Sequence, residues 1–143
     1  MIPCSSHQAQ SPVFSRFNAP DPDDELRQEY ARELAAEDEA FFIASRDGRA
    51  VGGASVAPVE RSSRHVGVAR PADAAILGFA ATTPEERGSG TGLALTNAVF
   101  TWARERSFRT IVVDWRVTNL LSSRFWPRRG FRTTFLRLYR SIP

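Results

Sequence analysis

Apolar and polar positions alternate along the chain with periods that change from segment to segment. Residues 1–20 are broken by prolines and serines and carry no apolar period, which predicts an extended or poorly ordered lead. At Asp21-Pro22-Asp23-Asp24 an acidic cap, a first-turn proline and further acids at the positive end of the helix dipole mark a helix start. Leu26, Tyr30 and Leu34 give that helix an apolar stripe, with Ala31 and Ala35 beside it, and it is expected to run to about Glu39. Phe41-Phe42-Ile43-Ala44 then reads as a short strand. Asp47-Gly48 is a hairpin turn, and the return strand covers Ala50 to about Ala57, closed by Pro58.

Beyond a polar connection at 60–72, Ala74 to Thr82 is an almost uncharged run of strand length. A strand without alternation is expected to be buried on both faces, hence central in its sheet, and Gly78 within it suggests a bulge or a close backbone approach. Leu95, Ala98, Val99, Trp102 and Ala103 follow the period of a helix that ends near Arg106. Thr110 to Val117 alternates, with Ile111, Val113, Trp115 and Val117 on one face and Asp114 and Arg116 on the other. Thr118 or Asn119 caps a short helix that Pro127 stops near Trp126, and Gly130 turns the chain into a last strand from Phe131 to about Arg140. The order is helix, hairpin, central strand, glycine-rich loop, helix, strand, helix, strand. It predicts an α+β domain with a mixed, mostly antiparallel central sheet flanked by helices.

Composition narrows the chemistry. All 19 basic side chains are arginine, so a phosphate-loop lysine, a Schiff-base lysine and a lysine base are excluded. Two histidines, His7 and His65, and a single cysteine, Cys4, make a His/Cys metal centre a poor reading, and no metal is assigned. His65, in a Ser/Arg loop, reads as a surface residue. No run approaches the roughly 18 apolar residues of a membrane span. The first residues lack the pattern of a signal peptide and the lone cysteine cannot form an internal disulfide, so a cytoplasmic location is expected. Charge is divided along the chain: ten acids face three arginines over residues 21–47, and ten arginines face two acids over 100–143. Either these are solvated surfaces or the basic flank attracts an anion; nucleic acid is the weaker choice because no binding motif accompanies the arginines.

The segment Arg87-Gly88-Ser89-Gly90-Thr91-Gly92 carries the most information. Each glycine costs roughly 0.5–1 kcal/mol relative to alanine in a helix, and a simple turn needs one or two of them. A loop whose bare N–H groups must approach an anion needs several, and Arg87 adds donors at its entrance. The dinucleotide fingerprint fails on spacing, with Leu93 where its last glycine belongs.

The pattern [Q/R]-x-x-G-x-[G/A] fits, and in it the chain resembles the GNAT family of N-acetyltransferases. Thr82-Thr83-Pro84-Glu85-Glu86 before the loop, and Asn119 through Trp126 to Gly130-Phe131 after it, extend the likeness over about residues 40–140. The resemblance implies the acyl-CoA N-acyltransferase fold, here lacking its first strand and helix, with residues 1–20 as a leading segment and 21–143 as the acetyl-CoA-binding domain. The chain is then either a minimal version or the C-terminal part of a longer protein.

It further implies acetyl-CoA as cosubstrate. The backbone of Ala80, Ala81 and Thr82 would lie along the pantetheine arm, beside a neighbouring strand that splays away. The loop from Arg87 through Gly88, Ser89, Gly90 and Thr91 to Gly92 would hold the pyrophosphate. Asn119, Phe125 and Trp126 would line the pantetheine and acetyl end. The acceptor would be an amine of a small molecule or a protein. Trp126 stands where many members carry a tyrosine general acid, and an indole N–H does not give up its proton near neutral pH. Asp114 is the candidate base, with a salt bridge to an arginine as its competing role. Two readings therefore stand: an N-acetyltransferase, or a catalytically silent acyl-CoA-binding module with a regulatory or assembly role. An uncovered sheet edge, with Phe14 and Phe17 available to cover it, also suggests a homodimer.

Overall fold

A computed structural model of the protein describes residues 27–28, 31–32, 34–62, 70–134 and 136. The expectations for residues 1–20, for Leu26 and Tyr30, for His65 and for the end of the last strand fall outside them. The described residues divide into two units, one reaching to Asp114 and one beginning at Trp115.

The first unit is built on a four-stranded sheet of order β1-β2-β3-β4: β1 (Ala40–Arg46), β2 (Arg49–Pro58), β3 (Ala74–Thr82) and β4 (Thr110–Val113). The hairpin turns where the composition demands it. Asp47 and Gly48 both have positive φ, 49° and 75°, the backbone whose twist matches that of the flanking strands. β1 and β2 pair antiparallel, as do β2 and β3, whereas β3 and β4 run parallel. Gly78 is the bulge: Phe79 faces Ser55 and Leu77 faces Val56, so Gly78 has no residue opposite it.

The core forms where α1 (Thr91–Glu105) packs on β1, β2 and β3. Leu95, Val99, Trp102 and Ala103 are buried from the helix, and Ala54, Val56, Ala74, Ala75 and Leu77 from the strands. Val59, in the one-turn helix after β2, is fully buried. Thr96 joins this face by returning its hydroxyl proton to the carbonyl of Gly92 at 2.8 Å, which satisfies a polar group in an apolar setting. The helix can come this close because Gly52 presents no side chain. A Cβ there would stand 3.0 Å from Leu95 Cδ1, 3.1 Å from the Ala81 carbonyl oxygen and 3.2 Å from Thr91 Cγ2.

Several expectations change. Residues 27, 28, 31, 32 and 34 are helical, but residues 35–39 are not, and Leu34 is exposed. Asp38 leaves the helix to bind Arg61, through a 2.7 Å contact to Nη2 and a 3.0 Å contact to Nε. β3 is buried only at its first half: Gly78 and Ala80 are exposed. β4 stops at Val113 and not at Val117, because its partner β3 pairs with it only from Ala74 to Leu77. Among the described residues of the expected last strand, Phe131–Thr134 and Leu136 are not in a strand.

Gly52→Ala should destabilise the protein by about 1–3 kcal/mol, the usual cost of overpacking a site whose neighbours include backbone. A urea denaturation series reads this directly, and an unchanged midpoint would show that α1 can shift away without loss.

Candidate functional site

Within the first unit the glycine-rich segment joins the end of β3 to the start of α1. Pro84–Glu86 form a single 3₁₀ turn, and α1 begins at Thr91. The helix therefore starts inside the motif: Thr91 and Gly92, expected from sequence to lie in the loop, are its first residues. Gly88 and Gly90 have φ of 85° and 92°, a left-handed backbone that favours glycine, and Gly90 is the N-cap. A Cβ built at either position meets nothing within 4 Å, so the requirement there is conformational as far as the protein's own atoms go.

The backbone donors of this segment divide cleanly. The N–H of Arg87 donates to Pro84, that of Ser89 to Glu86 and that of Ala94 to Gly90, at 3.0–3.2 Å. The N–H of Thr91 reaches Ser89 Oγ at 3.4 Å. The N–H groups of Gly88, Gly90, Gly92 and Leu93 have no hydrogen-bond partner among the described residues. The three glycines thus supply three of the four open donors at the positive end of a 15-residue helix. This is the arrangement that binds an anion.

One residue not singled out from sequence organises the segment. Glu86 Oε1 accepts from Arg46 Nε at 2.7 Å, and Oε2 accepts from Arg46 Nη2 at 2.9 Å, Ser89 Oγ at 2.8 Å and Thr91 Oγ1 at 3.0 Å. The Glu86 side chain is 11% exposed and that of Arg46 56%. The Arg46 hydrogen bonds, followed by those of Ser89 and Thr91, lower the Glu86 pKa from 4.5 to about 2, against the opposing effect of desolvation. The sequence held part of this signal. That part is only the closeness of an acid to Ser89 and Thr91; the order is the reverse of a capping box, and the partner that fixes the carboxylate, Arg46, lies 40 residues away.

Beside this loop, Ala80, Ala81 and Thr82 pair with Ala54, Gly53 and Gly52 of β2. On the other side of β3 the β4 ladder ends at Leu77 opposite Val113. Ala80 is exposed, and Ala81 and Thr82 are half-buried. Asp114 lies just past β4 and is exposed, so it is not on a strand face as expected.

The second unit holds the other expected residues. Asn119 caps α2 (Leu120–Phe125), its Oδ1 accepting from the Ser122 N–H at 3.2 Å. Trp115 Nε1 donates to Ser123 Oγ at 3.2 Å, which ties the approach segment to the helix. Trp126 is buried and packs edge-on against Phe125 at 4.9 Å and Phe131 at 5.4 Å between ring centroids. The Arg129 guanidinium lies 4.5 Å from the centre of the Phe125 ring. The Trp126 indole is therefore a packed aromatic anchor for the turn into Pro127–Arg129. Among the described residues, no helix is long and apolar enough to cross a membrane.

Comparison with known proteins agrees with this architecture. The sequence model of the acetyltransferase (GNAT) family matches residues 7–131. A structure of aminoglycoside N-acetyltransferase AAC(6')-Iy in complex with CoA superimposes with a TM-score of 0.66 at 26% identity, covering 84% of this chain and 90% of that one. The aminoglycoside 6'-N-acetyltransferase AAC(6')-Ih from Acinetobacter baumannii gives 0.70 at 21% identity, covering 87% and 84%. A transcriptional regulator from Bacillus halodurans C-125 gives 0.66 at 18% identity, covering 94% and 88%, and shares the fold. No curated protein sequence matches the chain.

Because the pKa of Glu86 is lowered on folding, its contribution to stability is complete above about pH 4.5 and is lost as pH falls through about 2. Wild type should therefore keep a constant stability advantage over Glu86→Gln from neutral pH to about 4.5, and the gap should close towards pH 2. Parallel denaturation series at stepped pH measure it. A gap that stays the same from pH 4.5 down to about 2 would mean that Glu86 titrates as an ordinary carboxylate.

Proposed function

The chain belongs to the acetyltransferase (GNAT) family, whose cosubstrate is acetyl-CoA, and from that premise we propose that it transfers the acetyl group to an amine of a small molecule or protein. The observation that carries the proposal is the row of open N–H groups at Gly88, Gly90, Gly92 and Leu93, set at the start of α1 beside the half-paired end of β3. In this reading those donors hold the pyrophosphate of acetyl-CoA and Arg87 adds charge at the entrance. The pantetheine amides extend along Ala80 to Thr82, where β4 no longer occupies the strand edge. For the second unit, the family resemblance assigns Asn119, Phe125 and Trp126 to the pantetheine and acetyl end.

The chemistry follows from the cosubstrate. A neutral amine attacks the thioester carbonyl, a C–N bond forms, the C–S bond breaks, and coenzyme A leaves as a thiolate. The amine proton passes to water or a carboxylate, with Asp114 as the candidate, and the thiolate takes a proton from solvent. A buried indole cannot serve as that acid, so Trp126 acts as a packing element. The homodimer and the cytoplasmic location belong to the same proposal. The aminoglycosides named for two of the similar structures are the first acceptors to test.

Acetyl-CoA at a hundredfold excess over its Kd should stabilise the fold by about 2.7 kcal/mol, raising Tm by roughly 5–10 °C. Gly90→Val should abolish the shift, with circular dichroism confirming that the variant folds despite its left-handed backbone. The absence of any shift or calorimetric heat with wild type at millimolar acetyl-CoA would refute the reading. Thiol release over an amine panel then separates a transferase from a silent binding module.

Trp126→Phe should leave the pH dependence of turnover unchanged and alter acetyl-CoA affinity only modestly. A rate loss approaching the 100-fold or more typical of general acid removal, at intact affinity, would assign proton chemistry to the indole.

A further inference from the structure

The Glu86 network joins three elements of the first unit. Its carboxylate gathers four donors from three places: the end of β1 through Arg46, the middle of the glycine segment through Ser89, and the first residue of α1 through Thr91. Its own carbonyl also accepts from the Ser89 N–H at 3.2 Å and from Ser89 Oγ at 2.7 Å. Ser89 Oγ lies 2.9 Å from Thr91 Oγ1, so the two hydroxyls and the carboxylate form a closed triangle. Every side-chain donor of the segment between Gly88 and Gly92 is thereby turned towards Glu86. What is left for a ligand is backbone alone, at the positions that have no partner.

We propose that Glu86 is the positioning residue of the acetyl-CoA loop, held by Arg46 so that the loop stands in its binding conformation before the cosubstrate arrives. The inference rests on the pyrophosphate reading of that loop. Its physical basis is preorganisation: a loop with two left-handed glycines has a large conformational freedom, and freedom lost in advance is not lost again on binding. The arrangement also sets a charge problem that Arg46 solves. A bare carboxylate at a helix N-terminus would repel an incoming diphosphate. The bidentate guanidinium neutralises Glu86 and leaves the helix dipole to the ligand. Glu86 touches no reacting atom; it acts through Ser89, Thr91 and the backbone between them.

Two consequences distinguish positioning from simple stabilisation. Loss of Glu86 should weaken cosubstrate binding without slowing the chemical step. Loss of Arg46 should do the same although Arg46 lies on another strand, and the two losses should not add, because they break one link.

The test uses the full chain, with acetyl-CoA binding by wild type established first; failure at that stage removes the underlying reading and this inference with it, whereas failure of the variants below removes this inference alone. Glu86→Gln and Arg46→Gln should each raise the calorimetric Kd and the KM for acetyl-CoA by about tenfold, the scale of one lost charge-assisted hydrogen bond. With a turned-over amine, kcat should stay within about twofold of wild type, as expected when only binding is lost. The double variant should be no weaker than either single one. Arg46→Lys, which keeps the charge but loses the fork, should fall between Arg46→Gln and wild type. Because Arg46 is half exposed, its variants test the link even where Glu86→Gln lowers Tm. Unchanged Kd and KM in both single variants, at temperatures where they remain folded, would reduce the network to a purely structural tie and overturn the proposal. Additive effects in the double variant, or a fall in kcat at constant KM, would equally overturn the proposal.

Discussion

The first turn of α1 lies against β2 at a residue with no side chain, and the position of the glycine segment follows from that contact. Gly52 lets Leu95 and Thr91 approach the strand to distances at which a methyl group would collide with them and with the carbonyl of Ala81. Leu95 begins the buried stripe that continues through Val99, Trp102 and Ala103, so the contact at Gly52 sets the height of the helix over the sheet. Ala81 belongs to β3 and pairs with Gly53, so the strand, the helix and the segment between them share one constraint. Interiors packed to this density transmit small displacements, and a shift of α1 would carry the open N–H groups with it.

Packing holds one side of the segment and charge holds the other. The apolar stripe fixes where the helix lies but leaves the backbone of Gly88 to Gly90 free to adopt many conformations. The Glu86 carboxylate removes that freedom by engaging both nearby hydroxyls, and Arg46 ties it to the hairpin. Hydrogen bonds to a charged acceptor are the stronger kind, and here three of them converge on a single oxygen. The result is a run from Gly88 to Gly92 that offers only backbone donors to an anion, which suits a diphosphate whose oxygens need several N–H groups at once.

The second unit uses different physics for a comparable end. α2 is only six residues long and could not stand on propensity. Asn119 caps it, Trp115 and Ser123 brace it, and Trp126 anchors its end between Phe125 and Phe131. The arginines that give this region its positive charge are in part used for packing, as Arg129 over Phe125 illustrates.

Local chemistry determined much of this protein from its sequence. The hairpin at Asp47-Gly48, the extent of β3, the buried face of α1, the Asn119 cap and the glycine motif that marks the family all depend on residues close together in the chain. Turn preference, capping and helical period act over a few residues, so they can be read in order. Tertiary structure decided the rest, because it depends on partners far apart. β4 ends at Val113 although its alternation continues to Val117, since a strand lasts only as long as its neighbour pairs with it. Residues 35–39 leave the helix although the pattern permits it, and Asp38 turns to Arg61. Thr91 and Gly92 enter α1, which puts the helix dipole inside the motif. Glu86 carried no visible role until Arg46 stood next to it, because an ion pair across 40 residues leaves no periodic trace in the chain.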